Sequence, residues 1–188
     1  MTEARHRLRK SAHARTWMLV AVLILAACGA RAKAPSSWVA DEAPNYRRLD
    51  NGLATANAIT LPAVPKLAAA GFKTIVDLRT SGERGVGDEA AAAGRSGIHY
   101  VNVPIDLATL SADDVREVAA LLDDTDNHPL LMHCSSGNRV GAVMALYREQ
   151  IHGVDYETAR REARTVGLQW PEAVEAVERV RREMGSVH

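Results

Sequence analysis

The segment Pro129-Leu-Leu-Met-His-Cys-Ser-Ser-Gly-Asn-Arg-Val-Gly-Ala142 constrains the fold more than any other part of the chain. Its apolar start, Pro129 to His133, reads as a short core strand, and a helix is predicted over Arg139 to His152. A buried strand must therefore become a helix between Cys134 and Arg139, a handover that belongs to a sheet with helices packed on it. With Gly137 free to take a positive φ, the amides of the loop are expected to point inward. Next to the positive end of a helix dipole, they form a nest for tetrahedral anions. The same field favours thiolate over thiol at Cys134. Arg139 adds a planar fork that can grip two oxygens of an oxyanion and stabilise developing charge. Cys134 is thus the candidate nucleophile and Arg139 its electrostatic partner. Ser135, Ser136, Gly137 and Asn138 are expected to hold the anion, while His133 orients the loop through its ring nitrogens rather than acting as a base.

The rest of the chain supplies elements to surround this unit. Tyr46 to Leu49 and Leu53 to Ala56, joined through Asp50-Asn51-Gly52, read as a hairpin, because Asn-Gly supplies positive φ angles. A helix follows with Thr60 as cap and Gly71 as stop. Phe72 to Leu78 is a β-branched apolar run and hence a buried strand. Ala90 to Ala93 sits in a short helix ended by Gly94, and Ile98 to Val103 is the next strand. Ser111-Ala-Asp-Asp114 opens a helix to about Asp123, with Val115, Val118, Ala119 and Leu122 on one face. After the reactive loop come helices over Asp155 to Val166 and Pro171 to Met184, the latter with a core stripe of Val174, Val177, Val180 and Met184. Arg160, Arg161 and Arg164 read as a solvated face. Strands alternating with helices imply an α/β sandwich with a mostly parallel central sheet of four to five strands and a helical C-terminal part.

A length of 188 residues with 47% apolar content suffices for one domain with a core. Residues 1–27 read as a secretory signal: Arg5, Arg7, Arg9, Lys10 and Arg15 against Glu3, then the apolar run Trp17 to Ala27. That run is shorter than the roughly 20 residues a bilayer span requires. Leu25-Ala26-Ala27-Cys28 resembles the lipobox of bacterial lipoproteins, which implies acylation of Cys28, the new N-terminus, and a lipid anchor on the periplasmic face of a bacterial membrane. Gly29, in place of Asp, points to the outer rather than the inner membrane. The competing reading is a buried N-terminal helix with an incidental cysteine. Residues 28–44, rich in Ala, Pro and Ser, read as a tether, and residues 45–188 as the catalytic domain.

Without residues 1–27 the balance is 18 basic to 22 acidic residues, a net −4. An acidic domain without a basic stripe is a poor nucleic-acid binder. If Cys28 is acylated, Cys134 is the sole thiol left, and a lone thiol in an oxidising compartment argues for use. His128, His133 and His152 lack the close pairing of zinc ligands, so neither metal nor cofactor is expected.

The stretch His133-Cys134-Ser135-Ser136-Gly137-Asn138-Arg139 resembles the His-Cys…Gly…Arg signature of the cysteine-dependent protein tyrosine and dual-specificity phosphatases. Gly52-Leu-Ala-Thr-Ala56, Ala69-Ala-Gly-Phe-Lys-Thr-Ile-Val-Asp-Leu-Arg79 and Tyr100-Val-Asn-Val-Pro104 extend the likeness to the phosphatase-like domain of beta-lactamase-hydrolase-like proteins. The resemblance runs from about Gly52 to Tyr147 and implies a tyrosine-phosphatase-like sandwich. Two features depart from it. Four residues separate Cys134 from Arg139 where the tyrosine phosphatase signature has five, and Val140 stands where many members have Ser or Thr to release the thiol, which implies slow turnover. Rhodanese-type sulfurtransferases use the shorter spacing, and Asp77-Leu78-Arg79 with Glu83 also resembles their Asp-x-Arg…Glu element.

Phosphatases of this class take a general acid from an Asp upstream of the cysteine. Asp106, in Pro104-Ile-Asp-Leu107, fits that place, and it fits equally as a turn residue ahead of the next helix. Asp113 and Asp114 could substitute but read as first-turn helix acids. Three functions stay open: a phosphoester hydrolase working through a thiol-phosphate, a sulfurtransferase that carries a persulfide on Cys134 and takes a sulfur donor, and a non-catalytic anion-binding module.

Overall fold

The computed structural model describes residues 39–50 and 52–185. The signal, Cys28 and the tether up to residue 38 lie outside the described residues, as does Asn51 of the predicted hairpin turn. The chain enters with a short helix α1 (Val39–Glu42), inside the stretch read as tether. There Ala43 is buried, and the carbonyls of Glu42 and Pro44 accept hydrogen bonds from Thr60 and Asn57. The hairpin follows as β1 (Arg47–Arg48) and β2 (Leu53–Ala56), paired antiparallel. Its turn rests on Asp50, whose Oδ1 accepts from the amides of Gly52 at 2.7 Å and Leu53 at 2.8 Å. Positive φ is not what Gly52 provides. A Cβ there would lie 2.3 Å from Nδ1 of His128, so glycine is required for that ring to approach.

α2 (Ala63–Ala69) starts three residues past Thr60, with Pro62 at its N-cap. Then come β3 (Thr74–Asp77), α3 (Val86–Ser96), β4 (His99–Asn102), α4 (Ala112–Asp123) and β5 (Leu130–His133). α3 passes through Gly94 and stops at Gly97, the residue with positive φ (71°), because a helical glycine weakens a helix but only a left-handed one caps it. α4 opens on a complete capping box, Ser111 with Asp114. α5 (Asn138–Leu146) widens into a π turn over Tyr147–Ile151, and α6 (Tyr156–Val166) and α7 (Pro171–Met184) close the fold.

The sheet runs in the order β1-β2-β5-β3-β4, with β2, β5, β3 and β4 parallel. β5 is flanked on both sides, which is why Leu130 to His133 are all buried. One face carries α2 and α3 over Leu67, Phe72, Ile75 and Leu131. The other carries α4 to α7 over Val76, Met132, Val143 and Leu146. In α7 the buried line is Ala173, Ala176, Val177 and Val180, with Val174 and Met184 at its edge. The sandwich thus places the carboxyl ends of four parallel strands at one rim, where open α/β sheets collect their ligands.

Candidate active site

Cys134 is the first residue beyond β5, and Gly137 (φ 88°) turns the chain into α5. The Cys134 sulfur accepts the Gly137 amide at 3.1 Å. Gly137 has no side chain to cap α5, so the amides at the start of the helix, which helix geometry leaves without partners, stay available to an anion. Cys134 is fully buried as a residue. Its sulfur is nonetheless not surrounded by aliphatic groups alone, given that amide contact and its closeness to the charge of Arg139.

Arg139 explains how the mouth of the loop is built. Its terminal edge is clamped by Glu83, Nη1 to Oε1 at 2.6 Å and Nη2 to Oε2 at 2.9 Å, while Nη1 also donates to the Leu78 carbonyl at 3.1 Å. Its other edge presents Nη2 to the Ser135 hydroxyl at 2.8 Å, and Nε–H meets no protein acceptor among the described residues. An oxyanion can therefore take Nε–H and the Nη2–H now on Ser135, two parallel hydrogen bonds, without breaking the Glu83 clamp. The Arg139 hydrogen bonds, outweighing burial, hold the Glu83 carboxyl down at about 2. Glu83 in turn keeps the guanidinium above its ordinary range. The cost of confining a long side chain is met before any ligand arrives.

Beneath the loop lies a second charged cluster. His133 turns its ring away from the mouth, with Nε2 donating to Glu89 at 2.7 Å and Nδ1 3.4 Å from the Cys134 carbonyl. Arg79 bridges Asp77 at 2.6 Å and Glu89 at 2.7 Å through Nη2, and the Tyr100 hydroxyl donates to Asp77 at 2.6 Å. Burial pushes the Asp77 carboxyl up, but Arg79, His133 and Tyr100 together outweigh it and hold it below the ordinary range. Donor atoms of Asp77, Glu89 and His133 lie within 4.8 Å of one another, the right span for a cation. The guanidinium of Arg79 already occupies the cationic role among them.

The remaining expected residues separate. Ser135 is exposed at the mouth and Ser136 is half-buried, its hydroxyl 3.3 Å from Asn138 Nδ2. Asn138 is turned inward: Oδ1 accepts from the amides of Gln169 at 2.9 Å and Trp170 at 2.7 Å, so its side chain ties the loop to the α6–α7 connection instead of facing an anion. Asp106 is exposed, and its carboxylate accepts from the Ala108 amide at 2.9 Å as a turn residue would. The carbonyl of its neighbour Ile105 nevertheless lies 3.4 Å from Nη1 of Arg139, which brings Asp106 to the rim of the site. Asp113 and Asp114 stay in the first turn of α4. Sequence reasoning missed Glu89, for which a helical first-turn acid offers no signal, and the partnership of Glu83 with Arg139, 56 residues apart.

A parallel sheet whose central strand delivers a cysteine and an arginine to one anion loop defines a tyrosine-phosphatase-like α/β protein. The chain belongs to the family described as DSP-PTPase phosphatase fused to NAD+ kinase, whose model matches residues 40–179. It is 30% identical over 96 residues to the beta-lactamase hydrolase-like protein of Agrobacterium fabrum; the match takes in 49% of this chain but only 22% of that longer relative. The fold is shared with P. aeruginosa TpbA (23% identity, TM-score 0.62, 83% of this chain and 91% of that one). It is shared equally with Tk-PTP in its active form (18% identity, TM-score 0.63, 74% and 97%). A cysteine-to-serine variant of TpbA has also been crystallised in complex with phosphotyrosine (22% identity, TM-score 0.61, 84% and 98%).

Proposed function

We propose that the chain is a cysteine-dependent phosphatase that hydrolyses phosphoesters through a thiol-phosphate on Cys134. The observation that carries this is the Cys134 sulfur bonded to the Gly137 amide at 3.1 Å, beside a guanidinium whose inner edge is left open by the Glu83 clamp. In the first step the thiolate attacks phosphorus and the P–O bond to the leaving group breaks. The loop amides and Arg139 hold the equatorial oxygens, and Asp106 gives its proton to the departing oxygen. In the second, water attacks the thiol-phosphate, Asp106 takes its proton, and phosphate leaves. Asp106 reaches this role by swinging from the Ala108 amide toward the rim. TpbA bound to phosphotyrosine supports an aryl phosphate as one substrate class. Against the short Cys134–Arg139 spacing, which the sulfurtransferase reading shares, the family model and the similar solved structures favour neither that reading nor the binding module.

The test uses p-nitrophenyl phosphate and phenyl phosphate. Cys134→Ser should abolish turnover of both yet retain vanadate binding. Asp106→Asn should slow phenyl phosphate by about 10²–10⁴-fold, and the nitrophenyl ester less, because its better leaving group needs less help. Equal effects on both esters would remove Asp106 from the mechanism, and turnover by Cys134→Ser would remove the whole proposal.

We also infer export and lipid anchoring through Cys28 at the periplasmic face, with the outer membrane favoured by Gly29. The basic flank, the apolar run and Leu25-Ala26-Ala27-Cys28 support it. No helix of the described residues is long and apolar enough to cross a membrane. Radiolabelled palmitate should enter the wild-type protein and not Cys28→Ala; equal labelling would overturn the anchor.

A further inference from the structure

A cavity of about 570 Å³ lies among the β1–β2 hairpin, the C-terminal ends of α4 and α5 and the flank of α6. That volume falls within the roughly 300–1,000 Å³ typical of small-molecule sites. No residue of the anion loop lines it. Leu53, in its wall, pairs with Leu130 at the start of β5, and four strand residues, about 13 Å of chain, separate that level from Cys134. The floor is apolar, made by Leu53, Leu122, Met144 and Val166.

The charges at the rim are unbalanced. Arg148 is neutralised by Glu162 at 2.8 Å, which leaves the two carboxylates of Asp50 and Asp123. Asp50 accepts only backbone amides, and among the described residues no cationic side chain lies within ion-pair distance of it. Asp123 accepts from the Tyr147 hydroxyl at 2.6 Å and has His152 Nε2 at 3.4 Å. Burial raises the Tyr147 hydroxyl pKa and Asp123 pushes it further up, Arg148 pulls it back, and Asp50 adds a smaller push upward, so both carboxylates are felt at this part of the cavity wall. The π turn over Tyr147–Ile151 belongs to this wall, bringing Tyr147 and Arg148 to it, and such widened turns gather at functional sites.

We propose that this cavity binds a small organic cation with an apolar body, its charged nitrogen between Asp50 and Asp123 and its body on the floor of Leu53, Leu122, Met144 and Val166. An amidine or an aryl-substituted ammonium has the required shape and charge. A free metal ion does not, since it would leave the apolar floor uncovered. The site is also joined to the catalytic loop. The Val166 carbonyl lies where a Cβ on Gly137 would be only 2.9 Å away, and α5 runs from Arg139 to Met144 and on into the Tyr147 turn.

Benzamidine and its neutral isostere benzamide test the proposal by calorimetric titration of the full-length protein. Benzamidine should bind the wild type with a dissociation constant of about 1 mM or tighter, and benzamide at least about tenfold more weakly. Asp50→Asn and Asp123→Asn, which keep their hydrogen-bond acceptors, should each weaken benzamidine by several-fold to about tenfold with unchanged melting temperature. Cys134→Ser should bind benzamidine as the wild type does, because the anion loop is not involved. The proposal is overturned if benzamidine does not bind, if benzamide binds equally well, or if the two Asn variants bind like the wild type.

Discussion

Glu83 illustrates how one residue can matter to catalysis without touching a substrate. Its carboxylate fills the outer edge of the Arg139 guanidinium and so leaves the other edge, which among the described residues meets only the Ser135 hydroxyl, for an oxyanion. Glu83→Gln replaces a bidentate ion pair with a single hydrogen bond from the guanidinium to a neutral amide oxygen, and kcat for p-nitrophenyl phosphate should fall by roughly 10–10²-fold while Cys134 remains titratable by thiol reagents. The same pair is visible in acid. The Glu83 carboxyl sits at about 2 in the folded protein against an ordinary 4.5, so its contribution to stability is complete above pH 4.5 and is lost as pH falls from 4.5 through about 2. Thermal melting of Glu83→Gln should accordingly be flatter than that of the wild type across that window. Identical slopes would show that the clamp is not formed in solution.

At the scale of elements, α5 is the part that cannot be moved. A Cβ on Gly141 would come within 2.4 Å of the Leu168 backbone nitrogen, and one on Gly167 within 2.6 Å of the Gly137 backbone, so the helix and the α6–α7 connection touch backbone to backbone. Gly141→Ala should destabilise the protein by about 1–3 kcal/mol in urea denaturation, because backbone cannot give way as a flexible side chain can. It should also lower kcat, since the displaced helix begins at the anion loop. Ser111→Ala, by contrast, removes the α4 capping box and should cost about 1 kcal/mol with kcat unchanged. These two variants separate a packing contact that positions the site from one that only supports the fold. Asn138 belongs with the first group: it bonds the amides of Gln169 and Trp170, so the connection and the loop shift together.

For the molecule as a whole, the cluster of Asp77, Arg79, Glu89, Tyr100 and His133 joins β3, α3, β4 and β5 beneath the reactive rim. Glu89 is fully buried and shared by Arg79 and His133. Glu89→Leu leaves a buried guanidinium half-matched and should cost about 3–5 kcal/mol by chemical denaturation. A loss below about 1 kcal/mol would mean that Arg79 finds water instead. The cluster lies directly under the anion loop: Nδ1 of His133 is 3.4 Å from the Cys134 carbonyl, and His133 is itself paired with Glu89.

Local pattern was enough to place most elements and the reactive pair. The strand over Leu130 to His133, the capping box at Ser111 and the helix starting at Pro171 follow from apolar runs and caps that act within a few residues. Cys134, Gly137 and Arg139 were legible for the same reason, as neighbours on one turn. What tertiary structure decided depends on residues far apart in sequence. The helix stop fell at Gly97 rather than Gly94 because only the packed chain settles which glycine is left-handed, and the hairpin glycine is explained by a histidine 76 positions later. The Asn138 side chain turned away from the anion cradle, leaving its amide there, because two amides from the α6–α7 connection claimed its Oδ1. Glu83 and Glu89 became partners of Arg139 and His133 because the sheet brought β3 beside β5, and no spacing along the chain carries that information.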